Sequence, residues 1–157
     1  TDPTKAVRAM ASLALHAEAH EHAAPRNRSA DEQTSFAAGV AISAVSSAEH
    51  IRAKAIVTLA GSGYTALHMS KRRPRVPIIA LGSYEPTLRR LAVLHGVTPI
   101  SIQNRRDFEA QLQTADSYLL SKGLAAVGDT VVVAAAIPLG QHKEPNTIRF
   151  HRVRKPI

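Results

Sequence analysis

Residues 55–81 decide the fold: Ala55-Ile-Val-Thr-Leu-Ala-Gly-Ser-Gly-Tyr-Thr-Ala-Leu-His-Met-Ser-Lys-Arg-Arg-Pro74, continuing to Pro77-Ile-Ile-Ala-Leu81. The apolar run Ala55–Leu59 is short and stops at Gly61-Ser62-Gly63, as a buried parallel strand does. Residues from Tyr64 to about Lys71 have helical spacing, and Pro77–Leu81 is a second short apolar run. Strand, glycine turn, helix and strand make one βαβ unit, which predicts a parallel sheet with helices on both faces.

The same alternation continues downstream. Ser83 is placed to cap a helix with Pro86 in its first turn, running to about Leu94 and terminated by Gly96. Thr98–Ile102 is a third strand. Arg106–Ser121 is a helix with Phe108, Leu112, Ala115 and Leu119 on one face, and Asp129–Ala136 is the strongest strand. The connection Ile137–Asn146 contains Pro138, Gly140 and Pro145, and is too short for a helical crossover. Thr147–Val153 is therefore predicted as an antiparallel edge strand, with Ile148, Phe150 and Val153 apolar and Arg149, Arg152 and Arg154 basic. Upstream, Pro3 to about Ala23 reads as a helix with Val7, Met10, Ala14 and Ala17 on one face. Residues 24–28 form a linker. Ser29 and Glu32 make a capping-box pattern, so a second helix is expected from Ala30 to Glu49, buried through its many small residues. The expected fold is a three-layer α/β/α arrangement, with a mostly parallel five-stranded sheet and an antiparallel edge strand.

Composition narrows the chemistry. The 157 residues are 45% hydrophobic but only 4% aromatic, so the core of this single-domain-sized chain is aliphatic. The lack of Cys excludes disulfides, thiolate metal sites and thiol nucleophiles. No apolar run approaches the roughly 20 residues of a membrane span, and no secretory signal is evident. The expected compartment is the cytoplasm, and no membrane partner is expected. The chain begins at Thr1 without Met, as a processed protein or a fragment does. Net charge is +8. Residues 1–50 carry 4 Lys or Arg against 6 Asp or Glu, a net of −2, while residues 51–157 carry 16 against 6, a net of +10. A basic C-terminal half suits anionic partners, or is a solvated surface.

Several local signals have ordinary readings. Lys71-Arg72-Arg73-Pro74-Arg75 reads as a nucleic-acid patch or as cations favoured at a helix C-terminus, and nucleic acid is not expected as the partner. His16 and His20 have the i, i+4 spacing of metal ligands without a third ligand, so no metal site is expected. No Ser-His-Asp order and no paired catalytic carboxylates stand out. The glycine turn is the principal candidate. It sits at the C-terminal end of a strand and before a helix, where unpaired backbone N–H groups and close backbone approach suit a phosphate. It lacks the Gly-Lys-Ser/Thr of a P-loop, and Ala66 stands where the dinucleotide fingerprint has its third glycine. Phosphate site and tight turn both remain open on the residues alone.

Several stretches, in order, resemble the C-terminal domain of pyruvate kinase. They are Ala53-Lys54-Ala55-Ile56-Val57, Ser62-Gly63-Tyr64-Thr65-Ala66, Lys71-Arg72-Arg73-Pro74, Pro77-Ile78-Ile79-Ala80, Leu94-His95-Gly96-Val97-Thr98-Pro99, Lys122-Gly123-Leu124, Gly128-Asp129-Thr130-Val131-Val132-Val133 and Asn146-Thr147-Ile148-Arg149. The segment from Asp2 through Met10 to Glu18-Ala19 resembles the helix that ends the family's catalytic barrel. Residues 1–28 are accordingly assigned to the end of the barrel and 29–157 to the α/β domain.

The resemblance implies a whole enzyme that transfers phosphate from phosphoenolpyruvate to ADP using magnesium and potassium. This chain would hold no catalytic residue and no cofactor. It implies a regulatory domain whose sugar phosphate or nucleotide effector binds at Ala60, Gly61, Ser62, Gly63, Tyr64 and Thr65, under a closing loop here represented by Gly140, His142 and Lys143. It further implies a homo-oligomer contact through 147–153 and a catalytic barrel as partner. Two departures weaken the expected charge. Gly61 stands where the family often has Lys, Gln or Glu, and Tyr64 where a basic residue is common. A missing cation removes a charge-assisted bond of roughly 1.5–3 kcal/mol. A free-standing phosphometabolite-binding module of this fold and a basic nucleic-acid-binding domain are the alternatives.

Overall fold

A computed structural model describes residues 2–20, 35–103, 107–139 and 144–155. The elements are α1 (Pro3–His20), α2 (Phe36–His50), β1 (Ile56–Leu59), α3 (Tyr64–Ser70), β2 (Ile78–Gly82), α4 (Glu85–Leu91), β3 (Val97–Ser101), α5 (Phe108–Ser121), β4 (Thr130–Ala135) and β5 (Thr147–Arg152). The strands form one sheet in the order β3-β2-β1-β4-β5. All pairings are parallel except β4 with β5, which is antiparallel with Val132 opposite Phe150. The expected α/β fold with an antiparallel edge strand is what the chain adopts.

Alternate residues of the central strands feed two cores. On one face Ile56, Ile78, Ala80, Val132 and Ala134 pack with Ala41, Ala44 and Ala48 of α2, Ala66 and Met69 of α3, and Leu91 of α4. On the other, Val57, Ile79, Leu81, Val131 and Val133 pack with Leu112, Ala115 and Leu119 of α5. Strands buried on both sides explain the uninterrupted apolar runs. The alanines of α2 let it lie close to the sheet, while α1 behaves differently. Its Val7, Met10, Leu13 and Leu15 are all at least 65% exposed.

Several expected boundaries shift for local reasons. Ser35 is extended (φ −88°, ψ 131°) and its hydroxyl accepts from the Ala38 N–H, so α2 begins at Phe36 rather than Ala30. Ser29 and Glu32 lie outside the described residues. Tyr84, not Ser83, is the N-cap of α4, and α4 stops at Leu91, well before Gly96. Gly96, at φ +70°, instead closes the turn into β3. Asp107 caps α5 by accepting from the Ala110 N–H, which places the helix start at Phe108. Along β5 burial does not follow the apolar residues. Phe150 is 59% exposed, while His151 is only 3% exposed. Its burial has a specific cause, a carboxylate on α5 described below.

Lys71 is the C-cap of α3, and the Arg72 and Arg73 N–H groups bond back to Met69 and Ser70. The basic cluster therefore closes a helix, at the opposite end of the sheet from the glycine turn. Among the described residues no helix is long and apolar enough to cross a membrane.

Candidate functional site at the end of β1

Helices α2, α3 and α4 pack on one face of the sheet and α5 on the other. The chain thus changes face between β1 and its neighbour β4. In open α/β sheets the carboxyl ends of the strands part at such a switch point and leave a crevice. A cleft of about 250 Å³ lies there, lined by Ala60, Gly61, Ser62, Gly63 and Thr65 after β1, with Gly82, Ser83 and Tyr84 after β2.

The three glycines around it have different reasons to be glycine. At Gly63 the backbone is left-handed (φ +86°), and a Cβ would meet Leu91 Cδ2 and Thr87 Cγ2 at 3.2 Å. Only glycine fits there without strain. At Gly82 a Cβ would sit 3.0 Å from the Ala60 carbonyl oxygen, because the Ala60 N–H donates to Leu81 O at 2.7 Å and draws the strand ends together. At Gly61 nothing lies within 4 Å of a Cβ. Sterics do not demand glycine there, and the volume that a longer side chain would fill is open.

The polar groups of the cleft are largely without partners. The Thr65 residue is 8% exposed and lines the cleft, and its hydroxyl has no hydrogen bond among the described residues. The Ser62 Oγ accepts from the Tyr64 N–H only at 3.5 Å. Gln111 of α5 is buried beside the cleft and has a partner of its own. No charged side chain lines the cleft among the described residues. Tyr64 does not line it; the ring is 63% exposed and tilted against His68.

The far wall comes from the β4–β5 connection through Ala136, Leu139 and Pro145. Asn146 holds the base of that connection. Its Oδ1 accepts from the Ile137 N–H at 2.8 Å and its Nδ2 donates to Ile137 O at 2.7 Å. Gly140, His142 and Lys143 lie outside the described residues. Local sequence reading missed Ser83, Tyr84 and Ile102, because only the strand order brings them to the turn. The general rule that strand C-termini gather at the crevice was the available signal.

A second polar cluster joins β5 to α5. The His151 Nε2 lies 3.0 Å from both carboxylate oxygens of Asp116, which is itself 2% exposed. The Arg154 N–H also donates to Asp116 Oδ2, at 3.1 Å. The His151 Nδ1 is buried without a partner. Nearer the surface, Arg149 donates to Glu109 at 2.8 Å and its guanidinium lies over Phe108. The hydrogen bond from Arg149 is the main reason the Glu109 carboxyl is held below its ordinary value. Among the described residues no group of three or more His, Asp or Glu stands together as a metal site. His16 has an interaction of its own.

Known proteins match this arrangement. A family profile described as "Pyruvate kinase, alpha/beta domain" matches residues 38–151. Pyruvate kinase of Staphylococcus epidermidis is 31% identical over 157 residues, covering 99% of this chain and 27% of that protein. Pyruvate kinase of Staphylococcus aureus has the same identity and coverage. A solved pyruvate kinase of Cryptosporidium parvum superposes with a TM-score of 0.68 at 26% identity, over 76% of this chain and 23% of that one. Another structure of the Cryptosporidium enzyme, in complex with ADP, gives 0.69 at 24% identity, over 83% and 25%. The chain spans about a quarter of the length of the curated relatives it matches, and its residues 38–151 match their α/β domain. The chain belongs to the pyruvate kinase alpha/beta-domain family.

Proposed function

We propose that this domain is the regulatory and subunit-contact part of a pyruvate kinase, and that it binds a phosphorylated effector in the cleft beyond β1. The observation that carries the reading is the cleft itself. It lies at the switch point of the sheet, between a glycine turn fixed by the φ of Gly63 and the unpartnered hydroxyl of Thr65. Backbone N–H groups at such a turn, with nearby hydroxyls, suit phosphate oxygens. Residues 60–63 and 65 contribute to the cleft wall, with Gly140, His142 and Lys143 proposed as its closing loop.

The whole enzyme would transfer phosphate from phosphoenolpyruvate to ADP on a barrel carried elsewhere, with magnesium and potassium bound there. The exposed apolar side chains of α1 favour an attached barrel over a free-standing module. A helix with Val7, Met10, Leu13 and Leu15 all open is one whose packing partner lies beyond these residues. A coupled pyruvate assay on this chain alone is expected to give no turnover above a heat-killed control. Strand β5 is the proposed contact with a second copy, which light scattering at high protein concentration tests.

Thermal unfolding at fixed ionic strength tests the effector site. The ligands are fructose 1,6-bisphosphate, glucose 6-phosphate, ribose 5-phosphate and AMP, with sulfate as control. A ligand at about 100 times its Kd adds roughly 2.7 kcal/mol, a shift of several degrees for a domain of this size. The expected result is a shift with at least one ligand that is reduced in Thr65→Ala. No shift with any of them overturns the reading for this chain.

A further inference from the structure

We infer that the end of the sheet opposite the cleft docks an acidic protein segment that carries apolar side chains. Parallel pairing gathers the first residues of β1, β2, β3 and β4 at that end, and the antiparallel β5 brings its last, with Thr130 opposite Arg152. Helices α2, α3, α4 and α5 each lead into one of these strands and so end there as well. Arg52 and Lys54 before β1, Arg75 before β2, Lys122 before β4, Arg152 of β5 and Lys155 after it are all exposed. None of them forms an ion pair among the described residues. The described carboxylates in the same region are Glu49 and Asp129, and Asp129 already accepts from the Ala126 N–H at 2.7 Å.

The helix dipole accounts for Lys122, the C-cap of α5, but not for Lys54, Arg75, Arg152 and Lys155, which stand on or beside strands. Arg52 carries the argument furthest. Its backbone is left-handed at φ +53°, and the Ala53 N–H donates to Ala48 O at 2.8 Å across it. That is the helix-ending position glycine ordinarily takes, and arginine there bears a strain that glycine would not. The backbone gives no reason for arginine, so the reason lies in its side chain. Aliphatic groups stand among the cations: Ile51, Val93, Leu124 and Val127 are all exposed, Val93 at 84%. Phe, Tyr and Trp are absent from these connections, which leaves no platform for the base stacking that holds single-stranded nucleic acid. Unpaired cations beside open aliphatic groups complement carboxylates interspersed with apolar side chains.

Fluorescence anisotropy with labelled probes tests the surface at about 0.15 M salt, where long-range attraction is screened beyond about 8 Å. The probes are two peptides of equal length and charge, one of Glu and Leu and the other of Glu and Ser, and a short DNA duplex. The expected result is that the Glu/Leu peptide binds at least about tenfold tighter than either of the others, a gain that burial of two leucines readily supplies. Arg52→Gly with Arg75→Ser should weaken that binding about tenfold, while the unfolding midpoint stays level or rises because the strain at residue 52 is relieved. Val93→Ser should reduce the preference for the Glu/Leu peptide and leave the Glu/Ser peptide unchanged. Duplex or Glu/Ser peptide bound as tightly as Glu/Leu would mean a plain polyanion surface and overturn the inference. So would no binding of the Glu/Leu peptide, an affinity indifferent to the arginine substitutions, or a lowered midpoint in Arg52→Gly alone, which would make that arginine structural.

Discussion

The end of β1 and the junction of β5 with α5 place polar groups in opposite states. At the junction most of them are engaged within the chain, the His151 Nδ1 being the exception. Asp116 takes bonds from His151 and the Arg154 N–H, and Glu109 takes Arg149 and Arg154. At the cleft the Thr65 hydroxyl has no partner among the described residues, and the bond to Ser62 is marginal at 3.5 Å. A cluster satisfied by its own chain is structural, while one left open beside a cleft awaits something from outside. The difference teaches where to look for binding and where to look for stability.

The largest expected effect breaks the engaged side. Asp116→Ala leaves His151 buried without its partner and should cost about 3 kcal/mol of stability, read by urea denaturation. A loss under 1 kcal/mol would mean the pair contributes little. Gly63→Ala should cost about 2 kcal/mol, from the positive φ together with the crowding against Leu91 and Thr87. A neutral result would show that the turn readily rearranges.

Gly61→Lys sharpens the other side. The site has room for a side chain, and a cation beside a bound phosphate is worth about tenfold in affinity. Titration with ribose 5-phosphate should show that gain with little change in the unfolding midpoint. The smallest effect is expected at Glu109, half-exposed beside Arg149. Because its folded-state carboxyl is held below 4.5, its contribution is present at neutral pH and lost as pH falls through the folded value. Glu109→Gln should destabilise by a few tenths of a kcal/mol at pH 7. That difference from wild type should vanish well below pH 4.5.

Much of this fold was legible because its periods are strong. The runs Ala55–Leu59, Pro77–Leu81 and Asp129–Ala136 are apolar on both faces and bounded by turn residues, and each became a strand within a residue or two. Helix starts were less legible, since a capping pattern at Ser29 competes with Ser35 and only the backbone shows which one caps α2. The burial of His151 on β5 was not legible, because it pairs with Asp116, 35 residues away in sequence. No local pattern encodes that partner. The cleft was half legible for the same reason. The turn 61–63 announces itself, but Tyr84 and Ile102 reach it only through the order β3-β2-β1-β4.

Amide chemical-shift mapping of the labelled chain, titrated with adenosine 5′-monophosphate at fixed ionic strength, tests the central claim most directly. The account predicts saturable shifts concentrated at Gly61, Ser62, Gly63 and Thr65, with a smaller set at Ser83 and Tyr84. Shifts centred on Lys71 to Arg75, or none at all, would contradict it.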